Sequence, residues 1–155
     1  MERLARCLTG RVALDVEARD WEEAVRLAGE VLEKAGDIEP AYTEAMVRTV
    51  REIGPYIVVT PGVALPHARP EDGVLRAAIG LVRLARPVSF GSEVNDPVDL
   101  VFPFGTPDRD QHIEVLAALS RLLSDPGRVA ALRRAATEED ILAVLRGAPL
   151  APAGS

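Results

Sequence analysis

The amino-acid sequence predicts an α/β (α+β) fold in which helices cover a small β-sheet. Apolar residues recur at helical spacing near both ends of the chain, whereas β-branched runs are confined to its middle. This order of helices, strands and helices is typical of a sheet packed under helices. At 155 residues and 48% apolar content, the chain is long enough for one domain with its own core. We expect that domain to span residues 1–146, followed by a disordered Gly/Pro/Ala-rich tail over residues 147–155.

Two helices are predicted in the first third of the chain. The first follows Asp20, which can cap a helix N-terminus, and it ends at Gly36. Its apolar stripe consists of residues at helical spacing: Trp21, Ala24, Val25, Ala28, Val31, Leu32 and Ala35. The second helix is expected from about Pro40 to Ile53, where Gly54-Pro55 ends it. The earlier stretch from Leu8 to Val16 fits either a strand or a loop.

Extended segments are predicted in the middle of the chain. A short β-branched run from Ile57 to Thr60 ends at Pro61-Gly62, and residues 63–65 are extended after it. Residues 77–84 and 98–104 have the composition of strands. Pro103 lies inside the last of these, which predicts an edge position or a bulge because proline cannot donate to a ladder.

Three helices are predicted after the strands. Asp108 can cap the first of them, with Gln111 as its reciprocal capping partner. We expect this helix to be well buried because it carries many apolar residues, namely Ile113, Leu116, Ala117, Leu119 and Leu123. Asp125-Pro126 begins a short helix, and Thr137 begins the last one.

Composition and missing motifs exclude several classes of function. The net charge of −6 without a basic stretch argues against nucleic-acid binding. No apolar run approaches the ~20 residues of a membrane helix and no signal peptide is visible, so we expect a cytoplasmic protein without membrane insertion. P-loop, dinucleotide-binding and metal-ligand spacings are absent, so neither a cofactor nor a metal is expected. The single cysteine, Cys7, excludes an internal disulfide, and its place near the chain end indicates an incidental thiol.

The two histidines are the candidate chemical groups. His67 follows an extended apolar segment and lies between Pro66 and Pro70, which restrict the backbone on both sides. His112 falls in the first turn of a predicted helix, where the dipole stabilises an arriving anion, although a capping role is the alternative. An imidazole attacks phosphorus without a metal when one ring nitrogen is free and the other N–H is held. These two positions therefore favour phosphoryl transfer.

The histidine segment also carries a family resemblance. Residues 62–68, Gly-Val-Ala-Leu-Pro-His-Ala, resemble the active-site signature of the IIA components of the bacterial phosphoenolpyruvate-dependent phosphotransferase system, mannitol/fructose class. The similarity continues through residues 95–100 and through Asp110-Gln111-His112-Ile113, where the class has its second histidine. Within the class, residues 54–58 and 61–74 are most similar to the ascorbate-specific branch.

The resemblance implies a fold, a chemistry and a set of partners. The sheet would be mixed, and His67 would carry a phosphohistidine intermediate through Nε2, beside a stabilising His112. Arg51, sixteen positions before His67, matches a class arginine that helps to bind the phosphoryl group, although Arg48 lies one helical turn away. The donor would be the phosphocarrier protein, and the acceptor a cysteine of a IIB component that serves a membrane IIC permease. The solute would be ascorbate or a related sugar acid or pentitol.

Two other functions and one assembly question stay open. A nitrogen-type regulatory protein would use the same histidine chemistry to control a partner protein instead of moving a sugar. A degenerate binding domain would transfer nothing, but both histidines are retained here. Ala68-Arg69-Pro70 stands where mannitol and nitrogen-regulatory members usually have glycine after the histidine, which favours transport. Whether the chain forms a homodimer is not determined by the sequence.

Overall fold

The computed structural model describes residues 2–147 of the chain. The predicted tail lies outside the described residues except for Gly147, which forms a turn. The helices are α1 (Glu2–Leu8), α2 (Trp21–Lys34), α3 (Pro40–Ile53), α4 (Arg109–Leu123), α5 (Pro126–Arg134) and α6 (Glu138–Leu145). The strands are β1 (Val12–Val16), β2 (Val58–Thr60), β3 (Val63–Ala64), β4 (Ala78–Ile79), β5 (Leu81–Val88), β6 (Val98–Val101) and β7 (Phe104–Gly105).

The centre of the fold is a mixed five-stranded sheet in the order β1-β5-β6-β3-β2. β1 and β5 are parallel, as are β3 and β6, whereas β5–β6 and β2–β3 are antiparallel. A separate antiparallel pair joins β4 to β7. The predicted α/β class and the mixed sheet are therefore confirmed.

Helices cover both faces of this sheet. Leu81 and Leu100 pack in one apolar cluster with residues of α1, α4, α5 and α6. Their chain neighbours Val82 and Val101 pack in a second cluster with α2 and α3. Because successive side chains of a strand point to opposite faces, the two clusters are the two sides of one sheet. Among the described residues, no helix is both long enough and apolar enough to cross a membrane.

Several predicted helix boundaries are confirmed. α3 spans Pro40 to Ile53 as expected, with proline in its first turn. The side chains of Asp20, Asp125 and Thr137 cap α2, α5 and α6, and each accepts a hydrogen bond from the backbone N–H three residues on, at 2.9–3.1 Å. Local capping chemistry is thus sufficient to place these helix starts.

The two longer predicted strands are each broken in the structure. Residues 77–84 divide at Gly80 into β4 and β5, and residues 98–104 divide at Pro103 between β6 and β7. Pro103 has no N–H for the ladder, while its carbonyl accepts a hydrogen bond from Gly80 N at 2.9 Å. A Cβ at Gly80 would lie 3.3 Å from Arg11 O and from Pro103 Cγ, so the backbone at Gly80 packs closely against the ring of Pro103. The break moves Phe104 out of the main sheet and into the small one.

The expectation of a strand or a loop between Leu8 and Val16 is confirmed for residues 9–16, whereas the helix before them was not predicted. Residues 2–8 form α1, which buries Leu4, Ala5 and Leu8, and the strand begins at Val12. Cys7 lies within this helix and is partly buried, rather than at a loose chain end.

The expectation that α4 is well buried is wrong. Its buried residues are Leu119 and Leu122, whereas Ile113 is 53% exposed and Leu116 is 37% exposed. One face of the helix packs on the sheet, and the apolar residues of the opposite face remain on the surface. The N-terminal half of α4 therefore presents apolar side chains beside His112.

Candidate active site

The two histidines lie side by side although they are far apart in the sequence. The ring centroids of His67, just after β3, and His112, in the first turns of α4, are 5.6 Å apart. Phe104 of β7 stacks on His67 with centroids 4.6 Å apart and also lies 5.5 Å from His112. Tyr56 meets His67 edge-on at 6.1 Å. Because the strand break at Pro103 places Phe104 in β7, the Phe104 ring packs against both imidazoles, and we call this ring the aromatic floor.

A backbone hydrogen bond fixes the tautomer of His67. Its Nδ1 lies 2.8 Å from the carbonyl oxygen of Leu65. A carbonyl can only accept, so Nδ1 must carry the proton in the neutral ring and Nε2 keeps a free lone pair. The arrangement is that of a nucleophilic imidazole whose second nitrogen is held.

The surroundings of His67 keep its ring neutral. Burial lowers the pKa of His67 below its usual value, and repulsion from a protonated His112 lowers it further, while the bond to Leu65 O opposes both effects. At neutral pH the ring is therefore uncharged and its Nε2 can attack an electrophile.

This shift gives a prediction for pH dependence. The Cε1–H resonance of His67, followed by NMR, should titrate with a midpoint below ~6.5, so phosphoryl acceptance should persist below that pH. Between the folded pKa and ~6.5 the unfolded chain binds more protons, so this group reduces stability as pH falls through that interval. In His112→Ala the titration midpoint of His67 should rise part of the way towards ~6.5, because the repulsion from His112 is removed. A midpoint at or above 6.5 in the native chain would contradict the prediction.

A buried tyrosine joins the backbone just after His67 to the backbone of Phe104. The hydroxyl of Tyr42 accepts from the N–H of Ala68 at 2.9 Å and donates to the carbonyl of Phe104 at 2.9 Å. The side chain is fully buried, and burial raises the pKa of Tyr42 to about 12, so the hydroxyl remains a donor. This role of Tyr42 was not predicted from the sequence. The available signal was a tyrosine at a core position, since a buried phenol needs a partner for its O–H.

The turn before β3 is fixed by a second set of bonds. The N–H of Gly62 donates to Asn95 O at 2.9 Å, and its carbonyl accepts from Asp99 and Leu100 at 3.0 Å each. Gly62 has φ of +79°, and a Cβ there would lie 2.5 Å from Nη2 of Arg133. The left-handed backbone conformation favours glycine at this position, and a Cβ would also displace the end of the Arg133 side chain.

The N-terminus of α4 is capped by Asp108, not by His112. The Asp108 carboxylate accepts from Gln111 N at 2.8 Å and from Gln111 Nε2 at 2.7 Å. The predicted reciprocal bond from Gln111 to the backbone is therefore replaced by a bond to the capping carboxylate itself. The imidazole of His112 is left to face His67, which weakens the interpretation that His112 only caps its helix.

Arg51 is placed in the last turn of α3, where its guanidinium bonds to Glu22 of α2. Its side chain is 57% exposed. Among residues 2–147, the structure shows no hydrogen bond from Arg51 or Arg48 to either imidazole. A role for Arg51 at the phosphoryl group stays a prediction. Over the same residues, no group of three or more His, Cys, Asp and Glu side chains is arranged to hold a metal ion.

A mixed sheet covered by helices, with two adjacent imidazoles at a strand end, is the arrangement that the resemblance to the IIA components of phosphotransferase systems implied. The chain belongs to the family described as phosphoenolpyruvate-dependent sugar phosphotransferase system, EIIA 2, whose model matches residues 7–148. It is therefore a phosphotransferase-system component of the IIA type, and the resemblance found in the sequence is confirmed.

Individual relatives agree with this family. The ascorbate-specific PTS system EIIA component of Escherichia coli (strain K12) is 37% identical over 132 residues, which cover 84% of this chain and 86% of that protein. The solution structure of a mannitol-specific cryptic phosphotransferase enzyme IIA from Escherichia coli matches with a TM-score of 0.81 at 31% identity, covering 92% of this chain and 97% of that one. The Escherichia coli complex of the mannitol enzyme IIA with phosphorylated enzyme IIB matches with a TM-score of 0.78 at 29% identity, covering 89% of this chain and 95% of that one.

Proposed function

We propose that the chain is a cytoplasmic phosphoryl carrier in which Nε2 of His67 accepts the phosphoryl group of the phosphocarrier protein. The group then passes to a cysteine of a IIB component that serves a membrane IIC permease for ascorbate or a related sugar acid or pentitol. The observation that carries this proposal is the 2.8 Å bond from His67 Nδ1 to Leu65 O, which leaves Nε2 free. The ascorbate-specific relative supports the choice of solute.

The chemical step is a displacement at phosphorus. The lone pair of Nε2 forms a new phosphorus–nitrogen bond while the bond from phosphorus to the donor atom breaks, and the donor atom keeps that electron pair. Delivery is the same kind of displacement with His67 as the leaving group: a IIB thiolate forms a phosphorus–sulfur bond while the phosphorus–nitrogen bond breaks, and Nε2 keeps that electron pair. The protein contributes positioning and charge stabilisation. An N–H of His112 would donate to the phosphoryl oxygens, and Arg51 would add charge after release from Glu22.

An apolar surface around the two imidazoles is available for both protein partners. It consists of Tyr56, Val59, Ile113 and Leu116, which are 37–53% exposed and which we call the apolar rim. Val59 and Leu116 line one open groove of about 400 Å³ together with Leu65. Partner surfaces depleted of charge pack on such patches. In the mannitol relative, an enzyme IIA forms a complex with a phosphorylated enzyme IIB.

This surface gives a prediction for partner binding. The substitution Ile113→Asp should weaken the Kd for the IIB component about tenfold, because burial of one aliphatic side chain contributes ~1.5–3 kcal/mol. Isothermal titration calorimetry measures the change. Leu75→Asp is the control, since Leu75 is 58% exposed but lies outside the apolar rim. Equal weakening by the control would show that the added charge, and not the rim, is responsible.

Phosphopeptide mapping tests the proposed function directly. After incubation with phosphoenolpyruvate and the general components of the system, the native chain should gain one phosphoryl group that is acid-labile and maps to His67. A phosphoryl group on any other residue, or none, would overturn the proposal. Copurification then separates transport from regulation. Capture of a IIB component supports uptake, whereas capture of a transcription factor or an ion-transport protein would support the nitrogen-type role.

A further inference from the structure

An open cleft beside α1 is lined by four arginines. Arg3 and Arg6 come from α1, Arg11 lies just before β1, and Arg76 lies just before β4. The cleft has a volume of about 410 Å³, and Cys7 and Ala77 complete its wall. We call this feature the arginine cleft. None of its residues belongs to the His67 site described above.

Two of the four guanidiniums are held in place by a buried carboxylate. Asp37 is fully buried and accepts from Nη2 of Arg11 at 2.9 Å and from Nε of Arg76 at 2.7 Å. Burial opposes its ionisation, but the bonds from both arginines outweigh burial and lower the pKa of Asp37. Both guanidiniums are therefore fixed before any ligand arrives, so little side-chain entropy is lost on binding.

The charge of the cleft is positive although the chain is acidic. Four guanidiniums face two carboxylates, Asp37 and the Glu114 that pairs with Arg3 at 2.9 Å, which leaves a net charge of two positive units. The whole chain has a net charge of −6. Within residues 2–147, Arg6 forms no ion pair and Nη1 of Arg76 has no hydrogen-bond partner. Arg11 and Arg76 are sufficient to neutralise Asp37. Balancing the charge of that carboxylate therefore does not explain the presence of Arg3 and Arg6.

We infer that the arginine cleft binds a small multivalent anion of the phosphate-ester or diphosphate class. Most guanidinium nitrogens of Arg11 and Arg76 already donate to Asp37 or to nearby backbone carbonyls. The planar guanidinium of Arg6, by contrast, can match phosphate oxygens in a bidentate manner, and Nη1 of Arg76 offers a further donor. The two excess positive charges suit an anion of similar negative charge. The volume of about 410 Å³ accommodates an anion of that size. This binding is separate from phosphoryl transfer on His67 and does not depend on it.

An NMR titration of the full chain with inorganic pyrophosphate at constant ionic strength tests the inference. Amide resonances of residues 3–11 and 76–77 should shift in a saturable manner. The double substitution Arg3→Gln with Arg6→Gln should weaken the Kd at least tenfold. Arg19→Gln with Arg86→Gln removes the same charge from two exposed arginines outside the cleft, so it should leave the Kd within about twofold.

Two outcomes would overturn the inference. One is the absence of saturable shifts, or saturable shifts that occur around His67 and His112 instead of the cleft. The other is equal weakening by the two double variants, which would show that pyrophosphate responds only to overall charge. Neither result would affect phosphopeptide mapping at His67, so a failure here is distinguishable from a failure of the proposed function.

Discussion

His67→Ala should abolish acceptance of the phosphoryl group from the phosphocarrier protein. Nε2 of His67 is free because Nδ1 is held by Leu65 O, and the structure shows no comparable bond to the ring of His112 within residues 2–147. Intact-mass measurement after incubation with phosphoenolpyruvate and the general components gives the result. The thermal midpoint of the variant serves as the control for folding. A variant that is labelled like the native chain would refute the assignment.

His112→Ala should retain acceptance but slow it by about 100-fold, because the variant loses a donor to the developing charge on the phosphoryl oxygens. Single-turnover transfer from phosphorylated phosphocarrier protein measures this rate. His112→Gln keeps an N–H near the same position and should recover part of the loss. Asp108 caps α4 in all three proteins, so a purely capping role for His112 would leave the rate unchanged.

Local sequence signals predict the helices whose ends carry capping or helix-breaking residues. Pro40 and the Gly54-Pro55 pair bracket α3, and the structure gives that helix the same bounds. Asp20 and Thr137 satisfy the free N–H groups of their helices within three residues. Such features need no distant partner, and for this reason they can be read from the chain alone.

The features that the sequence did not predict all depend on distant partners. Pro103 signals an interruption of its own strand, but the matching break at Gly80 is not visible in the sequence, because it depends on the hydrogen bond from the Gly80 N–H to the distant Pro103 carbonyl. α1 is seven residues long and is marginal by itself, so its stability depends on burying Leu4, Ala5 and Leu8 against other elements. α4 has apolar residues on two faces, and only the packing decides which face is covered.

In the candidate site, too, the local features could be predicted and the contacts between distant residues could not. The Pro66-His67 loop and the position of His112 were evident from the sequence and its family resemblance, and the ring distance of 5.6 Å agrees with them. Nothing in the spacing of residues 42, 68 and 104 indicates that one hydroxyl joins them. That contact exists only because α3 packs over the end of β7.

Tyr42→Phe should therefore affect both stability and phosphoryl transfer. The substitution keeps the ring but leaves the Ala68 N–H and the Phe104 carbonyl without their partner. An unsatisfied buried polar group costs ~1–3 kcal/mol, so the free energy of unfolding should fall by about that amount. A chain of this size loses ~2–4 °C in Tm per kcal/mol. Transfer to His67 should slow by about tenfold, because the loop and the aromatic floor are no longer tied together.

Tyr56→Phe separates this positioning role from the loss of a hydroxyl in general. Tyr56 also contacts the His67 ring, but its side chain is 49% exposed, so its hydroxyl can bond to water. Rates measured well below the Tm of each variant exclude a contribution from unfolded chains. If Tyr42→Phe lowers only the Tm and leaves both the transfer rate and the His67 titration unchanged, Tyr42 stabilises the fold without positioning the nucleophile. If it slows transfer and moves the titration midpoint while Tyr56→Phe does neither, the geometry of the His67 loop depends on the Tyr42 hydroxyl.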